Sequence, residues 1–235
     1  MRLVVLQPGY LPWLGFFDQM VRSDIFVVYD DVQYDRRSWR NRNRIKTHQG
    51  VQWLTIPVAT KGNYTSLIKD VLIDNSTNWR KNHLRSIQQN YSKAPFFADY
   101  YDVFCEMYSK EWKYLIDVDL TLIRELRSIL GIESRMEFSS DLCIDGDKVH
   151  RMVNICLELG ADELLEGSAG RNYLTGEGER AFAQNGIKLT YHDYQHPVYG
   201  QLYGEFVPYL SVIDLLFNCG KDSLDIITNK KEKML

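Results

Sequence analysis

The first apolar run, Leu3-Val4-Val5-Leu6, is short, continuous and β-branched, the pattern of a strand buried on both faces. A loop punctuated by glycine and proline follows, Gln7-Pro8-Gly9-Tyr10-Leu11-Pro12-Trp13. Next, Leu14, Phe17, Met20 and Val21 share one helix face, Ser23-Asp24 ends that helix, and 25–29 is a second buried strand. Strand, loop, helix and strand in this order favour a parallel pair joined by a right-handed crossover. Residues 51–58 read as another strand, and 68–73 alternate like a half-exposed one. From 78 to about 130 the pattern is mainly helical, with a break at Ala94-Pro95 and an apolar stripe of Trp79, His83, Ile87 and Tyr91. A helix over 147–159 stops at Gly160, and Glu163-Leu164-Leu165-Glu166 leads into the small-residue turn Gly167-Ser168-Ala169-Gly170. A last strand is expected over 187–194 and a last short helix over 211–217. With no internal repeat and no linker, the pattern predicts an α/β fold: a Rossmann-like three-layer core with a mainly parallel sheet. It forms one domain over 1–228, with a helical insertion at about 78–130 and a disordered tail at 229–235.

Composition narrows the class. A chain of 235 residues, 45% apolar and 25% charged, can bury a core without disulfide or metal staples. Its 15 tyrosines join an apolar ring to a polar tip and suit grooves and interfaces as well as cores. The net charge of −3 offers no global basic field, so nucleic acid is not an expected partner. Cys105, Cys143, Cys156 and Cys219 are scattered, with no CxxC pair, and read as reduced thiols of a cytoplasmic protein. The N-terminus lacks a sustained signal-peptide core, and no segment has the run of apolar residues that crosses a membrane, so no membrane partner is expected.

Four segments carry candidate chemistry. The loop after the first strand offers Gln7, Tyr10 and Trp13 (an amide, a phenol and a flat ring) on a backbone stiffened by two prolines, where open parallel sheets bind ligands. The run Asp35-Arg36-Arg37-Ser38-Trp39-Arg40-Asn41-Arg42-Asn43-Arg44-Ile45-Lys46 holds five arginines and one lysine against one aspartate. Its guanidinium forks match phosphate or carboxylate oxygens, its amides suit sugar hydroxyls, and Asp30 and Asp31 precede it at a strand end. A solvated basic loop is the plainer outcome for such a run. The third segment carries Arg80, Lys81 and His83, with no acidic residue from Asn75 to Ala98. His83 on the apolar stripe is either a core histidine or a base of lowered pKa. The fourth is His192-Asp193-Tyr194-Gln195-His196-Pro197, whose His-xxx-His spacing would suit a metal only on a helix. It follows a strand and stops at proline, so no metal is expected, and His196 remains a candidate acid or base. Ser168 sits in the small-residue turn, which could pass a phosphate or be turn chemistry alone.

In their order along the chain, LQPGYLPWLGFFDQ, DDVQYDRRSWRNRNRIK with the strand WLTIPV, NWRKNHLRSIQQNYSKAPFF, and YQHPVYGQLYGEFVPYLSVIDLLFNCG resemble the WbqC-like family over nearly the whole length. Members of that family are associated with bacterial gene clusters for surface polysaccharides. The resemblance implies a cytoplasmic transferase step on a nucleotide-linked amino sugar in O-antigen biosynthesis, N-acyl or aminoacyl transfer from an activated acyl donor. In that reading Gln7, Tyr10, Trp13, Trp39, Asn41, Arg42, Asn43, Lys46, Arg80, Lys81 and Ser168 bind the substrate. His83 or His196 serves as base, with Asp30 or Asp31 as orienter or alternative base, and no metal is held. Two alternatives stay open: an ATP-dependent ligase or nucleotidyltransferase that activates a small carboxylate, and a non-catalytic protein that binds a partner. The first resembles enzymes whose His-x-Gly-His pattern is missing after Gln7-Pro8. Assembly into a homo-oligomer also stays open.

Overall fold

A computed structural model describes residues 1–36, 38–59 and 65–229. Arg37 of the basic run and 230–235 of the expected tail lie outside them. In chain order the elements are β1 (Arg2–Leu6), α1 (Leu14–Val21), β2 (Ile25–Val28), β3 (Arg42–Thr47), β4 (Gly50–Thr55), α2 (Trp79–Tyr91), α3 (Phe97–Ser109), α4 (Leu115–Ile129), β5 (Arg135–Phe138), α5 (Ser139–Leu142), α6 (Lys148–Glu158), β6 (Glu163–Gly167), α7 (Glu177–Gln184), β7 (Lys188–His192), α8 (Val212–Cys219) and α9 (Ser223–Ile227). They pack as two compact units. The first comprises Met1–Gln7, Asp18–Asp31 and Ile132–Gln195; the second comprises Pro8–Phe17, Val32–Gly131 and His196–Leu235.

The first unit is a five-stranded parallel sheet in the order β5-β2-β1-β6-β7, flanked by helices. It is a Rossmann-like α/β fold. The crossover from β1 to β2 runs one way along the sheet and that from β6 to β7 the other. Crossovers between parallel strands are right-handed as a rule, and two that run in opposite directions put their helices on opposite faces. The face under α6 and α7 buries Leu3, Val5, Ile25, Val27 and Leu164 against Met152, Val153, Cys156 and Phe182. Asp147 starts α6 by accepting from the backbone N–H groups of Val149 and His150, each at 2.9 Å. Gly160, at φ 67°, ends it: Gly160 N–H donates to Leu157 and Ala161 N–H to Cys156, the paired bonds of a Schellman cap. The chain turns directly from that cap into β6.

The second unit holds the antiparallel hairpin β3–β4, helices α2, α3 and α4, and the C-terminal α8 and α9. The three helices cover the stretch where a helical insertion is expected. Phe217 of α8 gathers Tyr91, Phe97 and Phe104 within 5.2–5.5 Å between ring centroids. Two sequence expectations change here. The second half of the basic run is not a loop but β3, because Asn43 and Ile45 alternate inward between Arg42 and Arg44. Residues 68–73 are not a strand. Ile68–Asp70 form a 3₁₀ turn, and pairing is confined to single bridges of Leu72 with Tyr114 and Ile73 with Val58. The basic run is laced to the loop before α1. Tyr10 N–H donates to Arg40 O at 3.0 Å, Arg40 Nη1 to Pro8 O at 3.1 Å, and Asn43 Nδ2 to Leu11 O at 2.6 Å.

Gly9 sits inside that lacing, where a Cβ would lie 2.7 Å from the backbone oxygen of Trp39. Gly9→Ala is expected to destabilise the chain by about 1–3 kcal/mol, because both partners are backbone and cannot move aside cheaply. Urea unfolding checks it: the midpoint should fall with an unchanged slope.

Candidate functional site

In the first unit the carboxyl ends of all five strands share one edge. The chain leaves β1 toward β2 and later re-enters on the other side of β1 as β6, so the strand order reverses between these two. Such a switch point is where open parallel sheets bind ligands. Gln7 follows β1 there, half-buried, and Ser168 follows β6, exposed.

One cluster at this edge lies above the core, on the α6–α7 side. Glu166, the penultimate residue of β6, shares its strand face with the buried Leu164. Its Oε1 accepts from the Tyr173 hydroxyl at 3.1 Å, and its Oε2 is buried with no hydrogen-bond partner. Burial pushes the carboxyl up to about 7, against the opposing effects of the Tyr173 hydroxyl, the Gly167 N–H and the Lys148 charge. Gly170 permits the arrangement, since a Cβ there would lie 2.2 Å from Glu166 Cγ. Tyr29, Tyr173 and Tyr191 all feel the Glu166 charge, and burial raises each phenol. A cation rests on each ring: Lys148 Nζ is 3.3 Å from the centroid of Tyr173, Arg151 Cζ 5.1 Å from Tyr29, and Arg171 Cζ 4.4 Å from Tyr191. Arg151 pairs with Asp31, and Arg171 grips both carboxylate oxygens of Asp193. Lys148 is exposed and has no carboxylate partner among the described residues. The cluster therefore combines a carboxyl that titrates near neutrality with cations at its rim, an arrangement fit for proton transfer on an anionic substrate.

Asp30 and Asp31, at the end of β2, are held by the start of α5. Asp30 accepts from Ser139 Oγ at 3.1 Å, Ser140 N–H at 3.1 Å and Ser140 Oγ at 2.8 Å, and Asp31 accepts from Ser139 Oγ at 2.5 Å. They orient the β2 end and Arg151. On the sheet's other side His192 Nε2 and Arg22 Nε both meet the fully buried Asp18, at 2.5 and 2.6 Å.

The other residues expected at a site lie in the second unit, and most spend their polar atoms inside it. Tyr10 is fully buried, with its hydroxyl between His83 Nδ1 at 2.9 Å and Tyr108 Oη. Burial lowers the His83 imidazole to about 4, so it is neutral near pH 7 and packs against the Tyr10, Trp79 and Tyr108 rings. Asn41 Nδ2 donates to Ile56 O at 2.8 Å, and the buried Lys46 reaches Gln201 Oε1 at 3.1 Å. His196 donates from Nδ1 to Pro197 O and accepts the Tyr209 N–H at Nε2. The fully buried Asp119 carries no hydrogen bond on either oxygen, and burial raises it well above the carboxylate range despite the Arg40 charge. Trp13 is half-buried, and Trp39 and Arg42 line the outer face of the hairpin. Arg80 and Lys81 line an open cleft of about 360 Å³ with Asn75, Asn78 and Tyr108, and there Arg80 donates to Lys110 O.

The sequence reading reaches Gln7, Asp30, Asp31 and Ser168 at the carboxyl edge but misses Glu166, Tyr173, Lys148 and Arg151. One signal was available: in Glu163-Leu164-Leu165-Glu166 the second glutamate has the parity of the inward Leu164 and stands at the strand's carboxyl end. Among the described residues no group of three or more His, Cys, Asp or Glu side chains is placed to hold a metal, and no helix is long and apolar enough to cross a membrane.

A profile described as the WbqC-like protein family matches residues 7–226. An uncharacterized protein of Mycobacterium tuberculosis, Rv1507c, is 39% identical over 228 residues, which span 96% of this chain and 97% of the relative. No solved structure matches the chain.

Glu166 sets a pH dependence. Folded, it keeps its proton to about pH 7, whereas an unperturbed carboxyl loses it near 4.5. Across that window the folded state binds more protons, so this contribution to stability is present below 4.5 and lost as pH rises through 7. Glu166→Gln should match the native chain at pH 4 and exceed it well above pH 7 by roughly 3 kcal/mol. His83 acts with the opposite sign, its contribution being lost as pH falls from 6.5 toward about 4. The difference between variant and native chain, measured by chemical unfolding at each pH, isolates the glutamate.

Proposed function

The chain belongs to the WbqC-like protein family, and from that membership and the carboxyl-edge cluster we propose that it is a group transferase acting on a nucleotide-linked amino sugar in surface-polysaccharide (O-antigen) biosynthesis. The reaction is N-acyl or aminoacyl transfer from an activated acyl donor. The observation that carries this reading is Glu166: a half-buried carboxyl raised to about 7 at a sheet switch point, with one oxygen unengaged.

An amino sugar is largely an ammonium ion near neutrality and attacks an acyl carbon only after losing a proton. A carboxylate raised to about 7 is matched to proton transfer from that nitrogen, whereas an ordinary carboxylate is too weak a base. In this reading the ammonium gives one proton to solvent, the free amine attacks the acyl carbon, Glu166 takes the second proton from the nitrogen of the tetrahedral adduct, and the donor's leaving group departs from that carbon. Tyr173 holds the carboxylate in place, and Lys148 and Arg151 at the rim offset the charge of the diphosphate. Gln7 and Ser168, at the two ends flanking the switch point, hydrogen-bond the sugar. The role of base thus passes from His83 and His196 to Glu166.

A thermal-shift panel of uridine- and thymidine-diphosphate amino sugars tests the substrate class. At a hundredfold excess over Kd, binding adds about 2.7 kcal/mol of apparent stability, several degrees in Tm. Absence of any shift at millimolar concentration sinks the reading, and a shift with ATP and magnesium alone moves the chemistry to carboxylate activation. With a turning-over pair in hand, Glu166→Gln should lower kcat by roughly 10²–10⁴-fold with KM little changed.

A further inference from the structure

The outer face of the β3–β4 hairpin and the segment before α8, both in the second unit, carry exposed aromatic rings in company with arginines. Trp39 is 44% exposed, Trp53 43% and Tyr209 48%. The two indole centroids are 5.1 Å apart at 39°. The guanidinium of Arg42 lies 4.6 Å over Trp53, and that of Arg44 lies 5.4 Å from Trp39 and 5.8 Å from Trp53. Arg44 also links the hairpin to the third ring, donating from Nη2 to Tyr209 O at 2.8 Å.

The backbone at Tyr209 shows that its ring is held out rather than left out. Its φ is 57°, in the left-handed region that a residue with a bulky side chain seldom adopts. Both of its backbone polar groups are clamped, the carbonyl by Arg44 and the N–H by His196 Nε2 at 3.1 Å. The ring is set edge-on to His196 at 5.0 Å and lies 5.8 Å from Trp13. Strain of this kind persists where surrounding structure enforces it, and it gathers at ligand-binding positions.

We propose that Trp39, Trp53 and Tyr209, with Arg42 and Arg44, form a platform that binds an anionic glycan. Pyranose rings lay their C–H faces on the indoles and the phenol, and uronate carboxylates meet the guanidinium groups. The C–H face of a sugar carries partial positive charge and is drawn to the negative face of an aromatic ring. The two guanidiniums supply charge complementarity and are already aligned beside the rings. A stacked nucleobase fits less well. At 5.1 Å the two indoles are in direct contact with each other and admit no base between them. The platform goes beyond the group-transfer reading and stands or falls without it.

Tryptophan fluorescence titrated with a hyaluronan decasaccharide tests the proposal. The expected result is saturable binding that weakens with added salt and exceeds that of the neutral maltodecaose and of the oligonucleotide dT10. The double variant W39A/W53A, titrated by calorimetry because it lacks the reporting indoles, should bind at least tenfold more weakly. Tyr209→Gly should bind at least threefold more weakly while its Tm stays level or rises, because glycine accepts the left-handed backbone without strain. That variant keeps the test open should the double variant fold poorly. Equal binding of the neutral glycan, tighter binding of dT10, binding untouched by Tyr209→Gly, or no fluorescence change at millimolar glycan each overturns the platform.

Discussion

Right-handed crossovers that leave β1 and β6 in opposite directions bring the chemistry of the first unit to one place. With β1 as the turning point, β2 and β5 extend the sheet to one side and β6 and β7 to the other. All strands are parallel, so their carboxyl ends share an edge, and the reversal leaves a gap in the covering connections between β1 and β6. Gln7 and Ser168 stand at that gap, and Glu166 stands one residue below it. Nothing in a local stretch of sequence creates this meeting. It follows from handedness and parallel register, and it brings together groups 160 positions apart.

Burial then gives Glu166 its chemistry. The carboxyl is hydrogen-bonded by one phenol and faced by two more, an environment that solvates an anion poorly. The nearby cations rest on aromatic rings or pair with Asp31 and Asp193. Of these, the Lys148 charge moderates the shift without abolishing it. A guanidinium placed directly on the free Oε2 would return the group to the ordinary range and end its usefulness as a base near neutrality. In the second unit the same physics yields a different result. Asp119 is fully enclosed and burial raises its carboxyl well above its ordinary value, and burial among two phenols and one indole lowers the His83 imidazole to about 4.

The parallel core was legible because Leu3–Leu6 and Ile25–Val28 are uninterrupted apolar runs, which is what burial on both faces demands. The stop at Gly160 was legible because an αL cap wants glycine. The site was less so. Asn41, Asn43 and Lys46 have the side chains of a binding loop, yet all three are buried in and just before β3, where the two amides serve as clamps on backbone carbonyls. Composition reports the kind of side chain but not its direction, and a single inward Ile45 decided direction here. Arg135–Phe138 escaped notice for a related reason: a four-residue edge strand with one position exposed, three half-buried and none fully buried has little pattern to show. Glu166 was visible only through parity, and its partners Tyr173 and Lys148 come from a 3₁₀ segment's end and a helix's start that no local pattern joins to it.

The chain passes between its two units at 7/8, 17/18, 31/32, 131/132 and 195/196, and this interleaving governs how the protein can be made. Neither unit is a continuous stretch, so neither can be excised as a gene fragment. On the ribosome β1 emerges first, yet its neighbour β6 follows only after some 160 further residues, so the central strand waits with one edge unpaired for most of synthesis. Contacts that distant in sequence close slowly and leave apolar strand surface open to other chains meanwhile. Yield of active protein should therefore depend on elongation speed and on chaperones that shield nascent chains, well before the stability of the finished fold comes into play.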